Sequence, residues 1–214
     1  MPPEQRRVWT TSRKVMGNVL PLVVASPLLI KAVLVFAHTG PSVVAILWAA
    51  LFPVGAWLAV ALLGLAGNRR MKNEVSRRMH IDRPFDKTEK YFIGIATPSF
   101  KSVLDPHEDV GFLVVHQDQL EFYGSERHLL LNKRDIMNIR LTPNTHTIIG
   151  LGRWIAIEAI VRNISARLLV EPRERRTLIG NLLFSRRLFD RLVEWNTKDP
   201  RTDVRGSFEA PKEP

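Results

Sequence analysis

The sequence predicts an α+β chain: an N-terminal two-helix transmembrane hairpin, then a mainly antiparallel β domain capped by a C-terminal helix. Three observations predict it. Two long apolar segments crowd into the first third of the chain, the hydrophobic period changes from helical to two after Tyr91, and helical spacing returns at the last apolar residues. The mean hydropathy of -0.04 averages over this split and describes neither part. With 214 residues and a membrane anchor subtracted, one soluble domain is expected. The absence of cysteine excludes disulfides, thiolate metal sites and cysteine nucleophiles, so that domain must be held by packing.

The first apolar segment is Val19 to Ala37, VLPLVVASPLLIKAVLVFA, and the second is Ser42 to Ala66, SVVAILWAALFPVGAWLAVALLGLA, which carries no charge. A hydrocarbon core of about 30 Å takes about 20 helical residues to cross, and it tolerates no unpaired backbone. The short turn around Gly40-Pro41 makes the pair a hairpin with both ends on one side. Arg6, Arg7, Arg13 and Lys14 precede it, and Arg69, Arg70, Lys72, Arg77 and Arg78 follow it, whereas the turn has neither Lys nor Arg. Both termini are therefore placed in the cytoplasm. A cleaved signal peptide ending near Ala37 is the competing reading; Pro21, Pro27, Lys31 and the second span count against it. Lys31 lies close enough to the far end for its ammonium to snorkel, and Pro27 and Pro53 are expected to kink their helices.

After the second span, Met71, Val75 and Met79 recur every four residues among basic side chains, which predicts a narrow amphipathic helix. Its cations Arg69, Arg70, Lys72, Arg77 and Arg78 are the candidate contacts to lipid headgroups, each gaining about 1 kcal/mol beside an anionic leaflet. The same charges equally satisfy the positive-inside rule. Arg83-Pro84-Phe85-Asp86 breaks the helix and marks the domain boundary. The layout is thus a basic N-terminal segment at 1–18, the hairpin at 19–66, a basic linker at 67–88, the β domain at 89–197 and a polar tail at 198–214.

Strands are predicted at Tyr91 to Thr97, Gly111 to His116, Leu120 to Tyr123, His128 to Leu131, Asp135 to Leu141, Trp154 to Val161, Ala166 to Glu171 and Thr177 to Phe184. Trp154 to Val161 alternates most clearly, and with Arg162-Asn163 and the next strand it reads as a hairpin. Ser185 is the expected N-cap of a last helix whose apolar face is Leu188, Phe189, Leu192, Val193 and Trp195. From Thr197 onward there is too little apolar surface to fold alone.

The stretch GFLVVHQDQLEFYGSERHLLLNKRDIMNIRL, Gly111 to Leu141, pairs two strands, a polar excursion and a strand leading into the segment with Ile136 and Ile139. With the closing helix it resembles the pleckstrin-homology-like (PH-like) superfamily, including the GRAM-like domains fused to membrane spans in many bacterial proteins. The resemblance covers Tyr91 to Asn196. It implies two nearly orthogonal antiparallel sheets closed at one end by the helix from Arg186 to Asn196, with Trp195 as a core plug. It also implies a ligand that is a phosphoinositide, another lipid, a peptide or a protein, and a bacterial inner-membrane location. Lipid-binding members place Lys and Arg around the loop between the first two strands. Here that loop, 98–109, sets Lys101 among Asp105, Glu108 and Asp109. A protein-binding or assembly role gains accordingly.

Chemistry-bearing motifs are sparse. Asp105, His107, Glu108 and Asp109 form the one dense cluster of possible ligands, but it lacks the twelve-residue Ca²⁺ loop pattern and reads as a solvated turn. His116 with Asp118 reads as an exposed strand end. Gly150-Leu-Gly152 is a turn rather than a dinucleotide loop, and neither a nucleophile elbow nor an HExxH motif is present. Lys133-Arg134 and Arg173 to Arg176 read as solvated basic turns. The net charge of +10 and pI near 10.5 suit nucleic acid and anionic lipid alike, but without aromatics between the basic residues no nucleic-acid partner is expected. Asn163-Ile164-Ser165 is a glycosylation sequon that a cytoplasmic domain leaves unmodified. The expectation is a non-enzymatic, cofactor-free binding or scaffolding module at the membrane, with a protein partner or homo-oligomer. A sensor of anionic headgroups is the alternative.

Overall fold

A computed structural model describes residues 8, 10–65, 67–78, 89–98 and 107–198. Two helices, α1 (Thr11–Thr39) and α2 (Val43–Leu63), form an antiparallel pair and are followed by the short α3 (Asn68–Arg78). Thr10 and Ser42 cap α1 and α2 by accepting from the backbone N–H three residues on. Both helices are long and apolar enough to cross a membrane. Along the pair, the small residues Ala25, Ala32, Ala45 and Ala59 are buried while Val24, Leu34, Ile46, Leu47 and Leu58 face outward. Compared with the sequence-predicted spans, α1 starts earlier, so Arg13 lies inside it, and α2 stops at Leu63. Lys31 is on the outer face.

The β domain is a seven-stranded antiparallel sheet in the order β4-β3-β2-β1-β7-β6-β5. Its strands are β1 (Glu89–Ala96), β2 (Asp109–Val115), β3 (Gln119–Gly124), β4 (His128–Asn132), β5 (Ile136–Thr142), β6 (Trp154–Val161) and β7 (Ile164–Pro172). β1 joins the two halves, pairing with β2 through Phe92↔Phe112 and with β7 through Ile95↔Val170. The predicted β6–β7 hairpin is present; Arg162 and Asn163 turn it with φ of 51° and 64°, the doubly left-handed geometry that follows strand twist.

The last predicted strand, Thr177 to Phe184, is instead the first two turns of α4 (Leu178–Thr197). Thr177, not Ser185, is the N-cap and accepts from Gly180 N–H, while the Asn181 side chain bonds both the N–H and the C=O of Arg175. These local bonds and the 3.6-residue spacing of buried Leu178, Asn181, Ser185, Leu188, Leu192 and Trp195 outweigh the alternation visible in TLIGNLLF. Leu188, Leu192 and Trp195 enter one core with Ile93, Leu113, Phe122, Ile139, Ile157 and Val170, contributed by both halves of the sheet. Trp195 is the expected plug, and its Nε1 donates to His116 O at 2.6 Å.

The outer face of β1 and β2 is covered as well. Phe92, Val110 and Phe112 pack with Met71 and Val75 of α3 and with Val8, so the stripe predicted on the linker helix docks on the sheet. Met79, the boundary at 83–86, most of the β1–β2 loop including Lys101 and Asp105, and the tail beyond Lys198 lie outside the described residues.

Candidate functional site

Where α2 ends, the chain meets the β domain through three contacts in succession. The deepest is apolar: Ala61 and Leu65 pack with Leu151 and Leu178. Beside it, Trp57 Nε1 donates to Ile149 O at 2.8 Å. Next comes Asn68, 2 % exposed, whose Nδ2 donates to the carbonyls of Arg173 (2.5 Å) and Arg175 (3.1 Å) and whose Oδ1 accepts from Arg173 Nε at 2.9 Å. The third is α3 on the sheet, where Lys72 pairs with Glu174. Glu174 also accepts from Phe92 N–H at 2.6 Å, and Arg13 of α1 pairs with Glu74 of α3 at 2.7 Å.

Arg173 carries this junction into the domain. It was expected in a solvated turn, but it is 4 % exposed, and Nη1 lies 3.3 Å from His107 Nδ1. A guanidinium cannot accept, so His107 Nδ1 accepts and the ring proton sits on Nε2, which faces Glu171 Oε2 at 2.9 Å. Asn144 Nδ2 donates to the other oxygen of Glu171 at 2.9 Å, and His146 Nδ1 lies 3.7 Å from it. Burial alone pushes the Glu171 carboxyl up; the adjacent imidazoles of His107 and His146 outweigh burial and hold it well below the usual carboxylate range. Gly94 makes this possible, because a Cβ there would strike the His107 ring. The ring also meets Trp154 edge-on, with centroids 5.2 Å apart.

The Asp105 to Asp109 segment is therefore no solvated turn at its described end. His107 is 3 % exposed and Asp109 is 1 % exposed. The Asp109 carboxylate accepts from Val110 N–H, Ser125 N–H and Oγ, Glu126 N–H and Arg127 N–H, fixing the β3–β4 turn. Glu108 accepts from Thr97 and pairs with Arg127. His116 is not paired with Asp118; its Nε2 lies 2.9 Å from one oxygen of Glu121, and His128 Nε2 lies 2.8 Å from the other. Among the described residues, no three His, Asp or Glu side chains gather as a metal-binding group. The Glu171–His107 pair, closed off on all sides, lacks the access to substrate that general acid–base chemistry needs.

A cleft of about 330 Å³ opens between α3 and the β7–α4 connection. It is lined by Asn68, Arg69, Lys72, Asn73, Arg173, Glu174, Arg175 and Arg176, so cations outnumber its single carboxylate. Of the five predicted headgroup contacts, Arg69 and Lys72 line this cleft, whereas Arg70 and Arg77 are exposed elsewhere on α3. Nothing is described of the Arg78 side chain. Sequence reasoning missed the opposite wall, Arg175 and Arg176, which only the fold brings beside Arg69. The arrangement suits an anion such as a phosphate group. The chain matches no protein-family model and none of the curated proteins with which it was compared.

Proposed function

We propose that the chain is a non-catalytic, membrane-anchored binding module that holds a PH-like domain at a fixed attitude against the inner leaflet for a protein partner or a second copy. On this reading α1 and α2 cross a bacterial inner membrane as a hairpin with both termini in the cytoplasm. Their polarity pattern supports it. Alanines face inward and large aliphatics outward, as expected where lipid is the solvent, and only 17 % and 11 % of the two apolar windows are buried, unlike core helices. The strand order, with β1 shared between halves and α4 plugging a common core, supports the PH-like reading.

The observation that carries the function is the triple docking of anchor on domain. Localisation alone needs a flexible tether, whereas this junction consists of an apolar cluster, a buried amide–guanidinium contact and an amphipathic helix laid on the sheet. Fixed attitude matters to a module that must present one surface. The sheet ends in β4 and β5, whose outer strands carry exposed Leu130 and Met137 and are open to strand addition by an extended peptide. The test is affinity capture of the full-length protein from native membranes beside a version lacking 89–197. A partner lost with the domain supports the reading, and indistinguishable captures end it.

The basic cleft favours a second reading, a sensor of anionic headgroups, because its cations stand where α2 leaves the membrane. Full-length protein in nanodiscs would retain anionic lipid in native mass spectrometry and lose it when Arg175 and Arg176 are both changed to Ala. Unchanged retention removes this reading.

A further inference from the structure

We propose that the connection between β5 and β6 is a second membrane contact, with Ile148 and Ile149 dipping into the boundary between headgroups and acyl chains beside Trp57. The proposal rests on the reading of α1 and α2 as membrane spans. The turn Thr145–Ile149 is a 3-10 helix held at its start by Asn144, whose N–H donates to Thr147 Oγ1 at 2.8 Å, while the Thr147 hydroxyl donates onward to Gly152 O at 2.6 Å. Gly150 ends it at φ 72°, a left-handed position that glycine takes without strain. This braced turn presents Ile148 at 89 % exposure and Ile149 at 40 %, while Leu151, at 2 %, does the inward packing. The two isoleucines are therefore surplus to the core.

Their depth is set by Trp57. Its indole donates to Ile149 O, so the tip of the turn reaches Trp57's level on α2. α2 ends at Leu63, and at 1.5 Å per residue that level is about 9 Å inside the end of the helix. A depth of about 9 Å lies within the roughly 5–10 Å to which apolar faces sink at the boundary between headgroups and acyl chains. A loop carbonyl brought there needs a donor, because the hydrocarbon offers none, and the indole N–H is that donor. Leu183 extends the same face: it is 68 % exposed and lies one turn beyond Ile179, which packs on the α2 cluster, with exposed Arg186 and Arg187 following. At the far end of β6, about 25 Å away at strand rise, the turn carrying Ile164 belongs in water.

The cysteine-free chain permits single-site labelling. Full-length Ile148→Cys, Leu58→Cys and Ile164→Cys variants carry an environment-sensitive NBD probe and are reconstituted into vesicles with or without nitroxide-labelled lipid. The expected result is blue-shifted emission and lipid quenching at position 148, comparable to that at Leu58 on α2, with neither at position 164. Quenching at 58 with a water-like, unquenched probe at 148 overturns the proposal and leaves the spans standing. A blue shift at 148 without quenching means that protein covers the turn, which also overturns it. An unquenched probe at 58 removes the spans, and the proposal with them.

Discussion

Replacing Asn68 with Ala is the sharpest test of a rigid junction. Asn68 supplies three hydrogen bonds at 2 % exposure, one of them accepted from a buried guanidinium. A hydrogen bond to a charged group contributes about 1.5–3 kcal/mol and a neutral one about 1 kcal/mol, and some of the loss is recovered by water entering from the adjacent cleft. The expected cost is about 3 kcal/mol, confined to docking of α3 and the β7–α4 connection. Amide exchange reads it locally. At about 1.4 kcal/mol per decade, protection of the α3 amides and of Phe92 N–H should fall about 100-fold, while that of Ile157 in β6 is unchanged. Asn73→Ala, an exposed change on the same helix, is the control. A loss under about tenfold at α3 would mean that Asn68 does not clamp the domain, and the fixed-attitude argument would lose its central contact.

Four further outcomes are expected. Because the Glu171 carboxyl is held below its ordinary value of 4.5, its contribution to stability is complete above that pH and is lost as pH falls toward the folded-state value. Glu171→Gln should accordingly remove up to about 1.4 kcal/mol per pH unit from the slope of stability below pH 4.5, measured by denaturant melts in detergent. Gly94→Ala should displace the His107 ring and cost about 2 kcal/mol, visible as a lowered melting temperature. Asp109→Ala removes the acceptor for the whole β3–β4 turn and should cost about 4 kcal/mol; a loss below 1 kcal/mol would show that the turn holds itself. Trp57→Phe keeps an aromatic ring and deletes the indole donor, so a loss of about 1 kcal/mol, read as roughly fivefold faster exchange at Leu151 N–H, is expected.

Local patterns were legible where one face of an element decides its state. The β6–β7 hairpin, the apolar face of the last helix with Leu188, Leu192 and Trp195, and the two apolar helices follow from periodicity and turn residues alone. The start of α4 was not, because Leu178, Ile179, Leu182 and Leu183 satisfy a strand and a helix alike, and the deciding bonds belong to Thr177 and Asn181. The docking of α3 left a trace that was not joined up. The β2 run Val-Gly-Phe-Leu-Val-Val is apolar at successive positions, the mark of a strand covered on both faces, and the stripe of Met71 and Val75 is its cover. Neither feature names the other. The His107, Glu171 and Arg173 contacts were hidden for the same reason: His107 and Arg173 sit in polar stretches that read as turns, Glu171 closes a predicted strand, and only the adjacency of β1 with β7 brings them together.

Apolar and polar contacts at this junction play different parts. Phe92, Val110, Phe112, Met71 and Val75 each contribute about 1.5–3 kcal/mol on burial, enough to keep α3 on the sheet. Apolar contact alone, however, tolerates a helix that slides or rotates by part of a turn. Asn68 does not, because its amide must meet one guanidinium and two carbonyls at once, and Arg173 must also face His107, whose other nitrogen faces Glu171. Buried polar groups of this kind add little net stability, since their desolvation offsets much of the gain, but a misaligned state leaves charges unpaired and is strongly disfavoured. The chain from Asn68 to Glu171 therefore acts as a register pin. It converts a sticky contact between anchor and domain into a single orientation, the property that the proposed module needs and a flexible tether lacks.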